Sequence, residues 1–235
     1  EGVKPNNIYK MILAYCLWTK THYKKFEEFD GIKNADIITK LKKNSVPTKA
    51  IEYSIPEWLA ETLEKELGSS WEREMVALNE QAPTILRVNT LKTTPRELIS
   101  DLKVEGVESF PIKNYPDAIQ LEMKKNVFLT TAFKDGLFEV QDASSQKIGE
   151  LLDVKEGMRV VDACAGAGGK TLHLAALMKN KGQIIALDIY EWKLAELKRR
   201  AKRAGAHNIE TRMIDDNKVI KRLHEKADRL LIDSP

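Results

Sequence analysis

One stretch decides the fold of this chain: Val160-Val-Asp-Ala-Cys-Ala-Gly-Ala-Gly-Gly-Lys-Thr171. Before its glycines, the apolar and β-branched residues that end at Val161 predict a buried strand, and after them the run from Leu172 to Leu177 predicts a helix. Glycines in between permit a tight turn that a ligand can approach closely. Because the helix that follows directs unpaired N–H groups at such a ligand, the stretch predicts a nucleotide-type binding turn.

Three kinds of nucleotide turn compete for this pattern. A Walker A loop is matched by Gly169-Lys-Thr171, but Cys164 stands where its first glycine belongs. A dinucleotide turn is matched by Gly166 and Gly168, but its third glycine position falls on a threonine. An S-adenosylmethionine turn, in which an acid precedes closely spaced glycines, is matched by Asp162 and the same two glycines. A purely structural turn also stays open for so short a motif.

The next predicted strand narrows the choice. Gln183-Ile-Ile-Ala-Leu-Asp188 is apolar and ends in an acid. It lies about 20 residues beyond the turn, where a carboxylate can accept both hydroxyls of a ribose. A P-loop needs no acid at that place, whereas NAD and S-adenosylmethionine both suit it. Because Cys164 stands at the Walker glycine position, an NTPase is the least favoured interpretation.

Several motifs in order resemble one family, the RNA (cytosine-5)-methyltransferases of the NOL1/NOP2/Sun group, which includes the bacterial 16S rRNA enzymes. The glycine turn resembles their motif I, although Gly166-Ala167 stands where the family usually has Ala-Pro. Leu86-Arg-Val-Asn-Thr90 resembles the Arg-x-Asn signature of the family. Gly136–Gln146 resembles the segment that leads into motif I, and Leu230–Pro235 resembles the start of motif IV. The resemblance covers about the last 150 residues.

The resemblance implies S-adenosyl-L-methionine as cofactor and RNA as partner, with rRNA favoured. Asp188 would accept the ribose hydroxyls, although it could instead cap the next helix. Asp215, or its neighbour Asp216, would read the adenine amino group, and Asp233 would lie near the sulfonium. The methionine and ribose end would be wrapped by Cys164, Ala165, Gly166, Ala167, Gly168, Gly169 and Lys170.

The implied reaction needs cysteine. Carbon 5 of cytosine is a poor nucleophile, so a thiolate must first add to carbon 6, after which carbon 5 attacks the methyl group, a base removes its proton and the thiol leaves. The family takes both cysteines from motifs that we expect beyond Pro235, so we expect no catalytic residue in this chain and no turnover by it. We expect Cys164 to belong to the cofactor turn and Cys16 to the core. The strand at 229–233 would then be an uncovered edge.

We predict an α/β architecture in three parts. Residues 1–80 form a helical region, residues 81–145 a small α/β module like an RNA-recognition motif, and residues 146–235 an incomplete Rossmann-like methyltransferase domain that stops after its fourth strand. Alternation of strand and helix in the last part predicts a parallel sheet whose carboxyl ends bind the ligand. Its four strand ends carry the acids Asp162, Asp188, Asp215 and Asp233.

The first two parts hold further candidates. An apolar stripe predicts the first helix, with Ile8, Met11, Ile12, Tyr15 and Leu17. We expect Trp58 to lie in the core of the helical region and not to stack on a base. Lysines around the first helices (Lys24, Lys25, Lys40, Lys42, Lys43 and Lys49) either touch phosphate or form a solvated face. Arg87 and Asn89 either hold RNA or brace a domain interface. The basic helix with Lys193, Lys198, Arg199, Arg200, Lys202 and Arg203 faces RNA or solvent, paired in the latter case with Glu191 and Glu196.

Composition sets the remaining bounds. A hydrophobic fraction of 43%, a charged fraction of 31% and a net charge of +3 are those of a globular protein and permit an RNA partner without requiring one. Two cysteines without metal-ligand spacing favour a reducing, cytoplasmic setting and no metal, and no run is long enough for a membrane span. Two alternatives to an RNA (cytosine-5)-methyltransferase stay open. One is a non-catalytic RNA-binding or ribosome-assembly protein that retains the fold, and the other is a methyltransferase that acts on another RNA position or on protein.

Overall fold

The computed structural model describes residues 5–22, 27–29, 32–43 and 48–234. Within this range the chain divides after Gln81 into two compact units. The predictions for Lys24, Lys25 and Pro235, and those for the side chains of Lys40, Lys42 and Lys43, lie outside the described residues.

The first unit is helical, as predicted. It contains α1 (Pro5–Thr19), α2 (Asn34–Lys43), α3 (Lys49–Glu52), α4 (Glu57–Leu67) and α5 (Trp71–Asn79), with short 3-10 turns at Glu27–Phe29 and Gly68–Ser70.

The helix α1 buries a different face from the predicted stripe. Leu13 and Cys16 are buried, and Leu13 packs with Phe29 and Ile37 in a small core. The placement of Cys16 in the core is therefore confirmed. Leu17 packs against this core, but the other stripe residues are exposed: Ile8, Met11, Ile12 and Tyr15. Because α1 is apolar around most of its circumference, spacing alone did not select the buried side.

The prediction that Trp58 belongs to the core is wrong. Its side chain lies on the surface of α4 and is 67% exposed, and this helix buries Ala60 instead. The core position is taken by Trp71, which contacts Tyr53 edge to face with ring centroids 5.6 Å apart. A tryptophan at helical spacing beside leucines does not by itself reveal which side of a short helix meets a partner.

The second unit begins with a four-stranded antiparallel sheet of order β2-β3-β1-β4. Its core is formed by large apolar side chains from both layers, among them Leu86, Leu98 and Phe138. The first helix of this part has Thr94 as N-cap, Pro95 in its first turn and a capping box with Glu97, which confirms the predicted start. The elements are β1 (Ile85–Val88), α6 (Pro95–Val104), β2 (Ser109–Ile112), β3 (Tyr115–Leu121), α7 (Thr131–Lys134) and β4 (Phe138–Val140).

Two segments of this module differ from the sequence pattern. The apolar pair Phe128 and Leu129 favours a strand, but Val127–Leu129 is a 3-10 turn. The strand β2 was not predicted, because it contains Pro111, and proline is tolerated in strands mainly at a sheet edge such as the one β2 occupies.

The rest of the second unit carries a parallel sheet of order β7-β6-β5-β8, which confirms the predicted alternation. Fully buried Val160 and Ile184 pair directly in its centre, where Leu174 and Leu197 from the covering helices pack. The elements are α8 (Ala143–Leu151), β5 (Arg159–Asp162), α9 (Gly169–Leu177), β6 (Gln183–Asp188), α10 (Glu191–Ala204), β7 (Ile209–Met213), α11 (Asn217–Lys221) and β8 (Arg229–Leu231).

The strand order fixes where a ligand can bind. The chain moves outward from β5 to β6 and β7 and then returns to place β8 on the other side of β5. In open α/β sheets this reversal opens a crevice beyond the carboxyl ends of the strands. Both sheets lie in one compact unit, so the division at residue 145 stays a prediction.

Candidate cofactor site

The glycine turn after β5 has the backbone geometry that the sequence predicts. Gly166 and Gly168 have φ of +56° and +88°, in the region that favours glycine. The N–H of Ala165 donates to the carbonyl of Leu187 over 2.8 Å, which fixes the turn to β6. A Cβ on Gly168 would lie 2.1 Å from Leu197 Cδ1, so α10 packs directly on the turn.

The acid at the end of β5 has a structural role. Asp162 is buried, and its Oδ2 accepts a hydrogen bond from Thr171 Oγ1 over 2.7 Å. Burial raises the pKa of Asp162, and the bond from Thr171 opposes that effect. Asp162 therefore ties the start of α9 to β5, and the expectation that all four strand-end acids share one open edge is too broad.

The acid at the end of β6 joins the turn to the next helix. Asp188 Oδ2 accepts from the N–H of Gly166 and its Oδ1 accepts from the N–H of Tyr190, each over 2.9 Å. The second bond lies just before α10, whose N-cap is Tyr190 without a side-chain capping bond, so Asp188 is not the cap of this helix. Each carboxylate oxygen can accept a second hydrogen bond, which leaves capacity for a ligand hydroxyl.

A cavity of about 390 Å³ lies at this end of the sheet. Its volume falls in the range of roughly 300–1,000 Å³ that small-molecule sites occupy. Four residues that the sequence analysis assigned to cofactor binding line it: Cys164, Gly166, Asp188 and Asp233. Six others also line it: Ala163, Ile189, Tyr190, Lys193, Ile214 and Ser234. The sequence analysis did not name Ile189 and Ile214, which are the first residues after β6 and β7. An apolar residue directly after a strand is the sequence feature that could have identified them as cavity-lining.

The remaining named residues support the turn or lie beside the cavity. Ala165 is buried, and Gly168 and Gly169 contribute backbone at the start of α9. Lys170 Nζ lies 2.5 Å from Asp233 Oδ2, an ion pair that joins α9 to the segment after β8. Ala167, which the sequence analysis also assigned to the turn, does not line the cavity and instead lines a groove beside α10.

The two acids after β7, Asp215 and Asp216, do not line the cavity. Asp215 is exposed and does not line the cavity, whose wall here is Ile214. Asp216 caps α11, with its Oδ1 accepting from the N–H of Lys218 over 2.7 Å.

Arg87 and Asn89 are buried between the two sheets. Asn89 Nδ2 donates to the carbonyls of Gly136 and Ala204 over 2.7 and 2.8 Å. Arg87 Nη1 donates to the carbonyl of Gly169 and to Gln141 Oε1. Burial lowers the pKa of Arg87 to about 10, and the charge of Glu139 opposes this. Of the two alternatives for this pair, the structure favours bracing of the interface.

The basic helix α10 turns part of its charge inward. Arg200 and Arg203 contact buried Glu139 of β4, with nitrogen–oxygen distances of 2.9 and 2.5 Å. Arg199 pairs with Glu196 over 2.7 Å, as the sequence analysis expected of this face. Arg200 and Arg203 therefore do not belong to a wholly solvated face, since Glu139 on a different sheet pairs with both.

The described residues contain no group of three or more His, Cys, Asp or Glu side chains that could hold a metal ion. Their helices include none with the length and apolar character that crossing a bilayer requires.

The strand order, the glycine turn after the first parallel strand and the acid at the end of the second define a Rossmann-like fold of the S-adenosylmethionine-dependent methyltransferase class. Family models agree: residues 150–235 match "16S rRNA methyltransferase RsmB/F", and residues 55–128 match the ferredoxin-like domain of the same proteins. The chain belongs to this RsmB/F family, within the NOP2/Sun-type methyltransferases.

Individual relatives support the assignment. The probable ribosomal RNA small subunit methyltransferase B of Bacillus subtilis is 33% identical over 208 residues, which are 88% of this chain and 45% of that protein. The corresponding Escherichia coli protein is 35% identical over 153 residues, 65% of this chain and 35% of the relative. A methyltransferase homologue from Pyrococcus horikoshii has a solved structure with a TM-score of 0.70 and 30% identity, covering 80% of this chain and 61% of that one. The chain thus spans less than half the length of these two curated relatives.

Proposed function

We propose that the cavity binds S-adenosyl-L-methionine and that the chain is the cofactor- and RNA-binding part of an enzyme that methylates carbon 5 of cytosine in 16S rRNA. The observation that carries this proposal is the position of Asp188. It lines the cavity, receives the N–H of Gly166 from the glycine turn and retains free acceptor capacity. The names of the relatives, which are rRNA small subunit methyltransferases, support the RNA target.

The cavity offers a place for each part of the cofactor. Asp188 would accept the ribose hydroxyls, and the apolar side chains of Ile189 and Ile214 would flank the adenine. Asp215, exposed next to Ile214, would accept from the adenine amino group at the rim.

The methionine part would lie along the turn from Cys164 to Lys170. Asp233 lines the same cavity and would balance the positive sulfonium. The ion pair between Lys170 and Asp233 would hold that carboxylate in place before the cofactor enters.

The cofactor supplies an electrophilic methyl group when bound, and this chain would position it. Neither cysteine of the chain is placed to attack cytosine, because Cys16 is buried in the first unit and Cys164 lies in the cofactor turn. The attacking and releasing cysteines of the family's mechanism would come from its later motifs. An rRNA substrate would place the enzyme in the cytoplasm.

Deleting the gene that encodes this chain tests the proposal. We expect at least one cytosine of 16S rRNA to lose its resistance to bisulfite conversion. Complementation with Asp188→Asn should fail to restore the methyl group. Complementation with Asp216→Asn, whose carboxylate caps α11 and does not line the cavity, should restore it. If every methylated cytosine persists while ribosome assembly is impaired, the chain acts as a non-catalytic assembly factor.

A further inference from the structure

The second unit contains another large concave surface, a groove of about 720 Å³ between the antiparallel module and α10. One wall comes from the module and includes Phe128, Phe133 and Lys134, and the other comes from α10 and includes Arg199, Arg200 and Arg203. We call it the α10 groove. It lies apart from the cofactor cavity, with which it shares no lining residue.

The helical wall presents a row of charge. Residues 196, 199, 200 and 203 share one face of α10, at spacings of three and four, over about 10 Å of helix. Glu139 holds Arg200 and Arg203 in fixed positions. The Arg199 side chain is 79% exposed, and its pair with Glu196 is of the exposed kind that contributes little stability. Arg199 can therefore exchange that partner for a phosphate with little loss.

The module wall presents a fixed aromatic surface. Phe128 is 54% exposed, although a phenyl ring gains from burial. It contacts Phe133 edge to face with ring centroids 5.0 Å apart, and the Arg203 guanidinium carbon lies 3.9 Å from the centroid of Phe133. The contact with Phe133 supports the exposed ring of Phe128, which offers a surface on which a nucleic-acid base can stack.

We propose that the α10 groove binds a single-stranded segment of the RNA substrate that flanks the target cytosine. This inference rests on the proposed function and assigns residues to its RNA contact. Four cationic and two acidic side chains line the groove, so its charge suits a phosphate backbone, and Phe128 provides the stacking surface.

The groove also adjoins the cofactor turn. Ala167 lines the α10 groove and its neighbour Gly166 lines the cofactor cavity. Arg200 Nη1 donates to the carbonyl of Ala167 over 2.7 Å, so the arginine row is bonded to the same turn. RNA bound in the groove would therefore pass beside the methyl donor.

Paired variants test the proposal. Phe128→Ala removes the stacking ring, and Phe110→Ala removes a ring of similar exposure on β2 outside the groove. Arg199→Glu reverses a charge inside the groove, and Lys198→Glu reverses one on the adjoining face of α10, which lines a different groove. Binding of a short fluorescent single-stranded RNA is measured by anisotropy over a range of salt concentrations. Thermal unfolding and titration with S-adenosylmethionine are measured on each variant.

We expect Phe128→Ala and Arg199→Glu each to weaken RNA binding about 10-fold at low salt. Arg199→Glu should also reduce the slope of the logarithm of the binding constant against the logarithm of the salt concentration, by the amount that corresponds to about one phosphate contact. The two control variants should change the affinity less than about 2-fold, and cofactor binding should be unchanged in all four.

Three results would overturn the assignment of the groove. These are no RNA binding by the unaltered chain, equal losses in test and control variants, and tighter binding of polyglutamate that depends on Arg199 but not on Phe128, which would indicate an acidic protein partner. Cofactor binding separates these results from a failure of the proposed function, because the groove can be wrong while the cavity still binds S-adenosylmethionine.

Discussion

The two sheets of the second unit use their charged and polar residues in opposite ways. In the antiparallel sheet Arg87 and Glu139, together with Asn89 just after β1, are buried and bonded to groups of the parallel-sheet region. In the parallel sheet Asp188, and Asp233 just after β8, stand at the carboxyl edge and line an open cavity. Charged and polar residues therefore serve as braces in one sheet and as a candidate binding site in the other.

The difference shows what separates a brace from a binding group. Asn89 donates to two buried carbonyls, and Arg87 donates to a third carbonyl and to a glutamine. Asp188 accepts two N–H groups at the wall of a cavity and retains acceptor capacity. Unused hydrogen-bonding capacity beside empty space, more than charge itself, marks the candidate site.

The largest expected effect concerns the contact between the two sheet regions. A Cβ on Gly136 would lie 2.1 Å from the carbonyl oxygen of Arg203, and φ is already +72°. We expect Gly136→Ala to lower the free energy of unfolding by about 3 to 5 kcal/mol, from strain and overpacking together. Gly157 has φ of +89° with open space around it, so Gly157→Ala should cost only about 1 to 2 kcal/mol. Urea denaturation measures both, and equal losses would contradict a close contact at Gly136.

Asn89→Ala should separate stability from cofactor binding. It removes three hydrogen bonds, one of them from the N–H of Leu91, and leaves the carbonyls of Gly136 and Ala204 unpaired, so we expect a loss of about 2 to 3 kcal/mol in the free energy of unfolding. Affinity for S-adenosylmethionine should change less than about 2-fold. Asn126→Ala, which removes the cap of an exposed turn, should cost about 1 kcal/mol. A large loss of cofactor affinity with intact stability would instead give Asn89 a role in the site.

Asp188→Asn should have the reverse profile. Loss of the charge weakens the hydrogen bonds from ribose hydroxyls, so we expect affinity for S-adenosylmethionine to fall about 10- to 100-fold. Calorimetric titration measures this, and Asp216→Asn is the matched control because Asp216 caps α11 outside the cavity. Unchanged affinity in Asp188→Asn would mean that this carboxylate only supports the turn.

The smallest expected effect is a pH dependence at the junction of the sheets. His173 of α9 is buried, with its Nε2 3.9 Å from Asp117 Oδ2 of β3. Burial lowers the pKa of His173 in the folded chain; nearby Arg87 lowers it further, while Asp117 and Glu150 oppose this. Because the unfolded chain then binds the proton more readily, His173 should reduce stability as the pH falls below about 6.5, by at most about 1.4 kcal/mol per pH unit.

The variant His173→Gln checks this dependence. Its free energy of unfolding should fall less between neutral and mildly acidic pH than that of the unaltered chain, in parallel urea titrations. Identical pH profiles would show that another group titrates in this range.

Local patterns predicted the elements around the candidate site. The strands β5 and β6, the glycine turn and the helix α10 follow from apolar runs, glycines and flanking acids that lie close together in sequence. The buried side of α1 and the exposure of Trp58 depend on what packs against each helix, and spacing within a helix does not contain that information.

The role of Asn89 was open for the same reason. Its two carbonyl partners lie 47 and 115 residues further along the chain, so nothing near Arg87-Val-Asn89 distinguishes a brace from an RNA contact. Likewise, the inward turn of Arg200 depends on Glu139, which lies 61 residues away on a strand of the other sheet. Long-range partners of buried polar groups are the part of the site that the sequence pattern left undecided.

Calorimetric titration of the chain with S-adenosylmethionine, beside parallel titrations with ATP and NAD, tests the central claim most directly. We expect saturable heat with one equivalent of S-adenosylmethionine and none with the other two nucleotides, because Cys164 replaces the first Walker glycine and the turn lacks the third dinucleotide glycine. Absence of binding to S-adenosylmethionine, or saturable binding of ATP or NAD in its place, would contradict the assignment of the cavity.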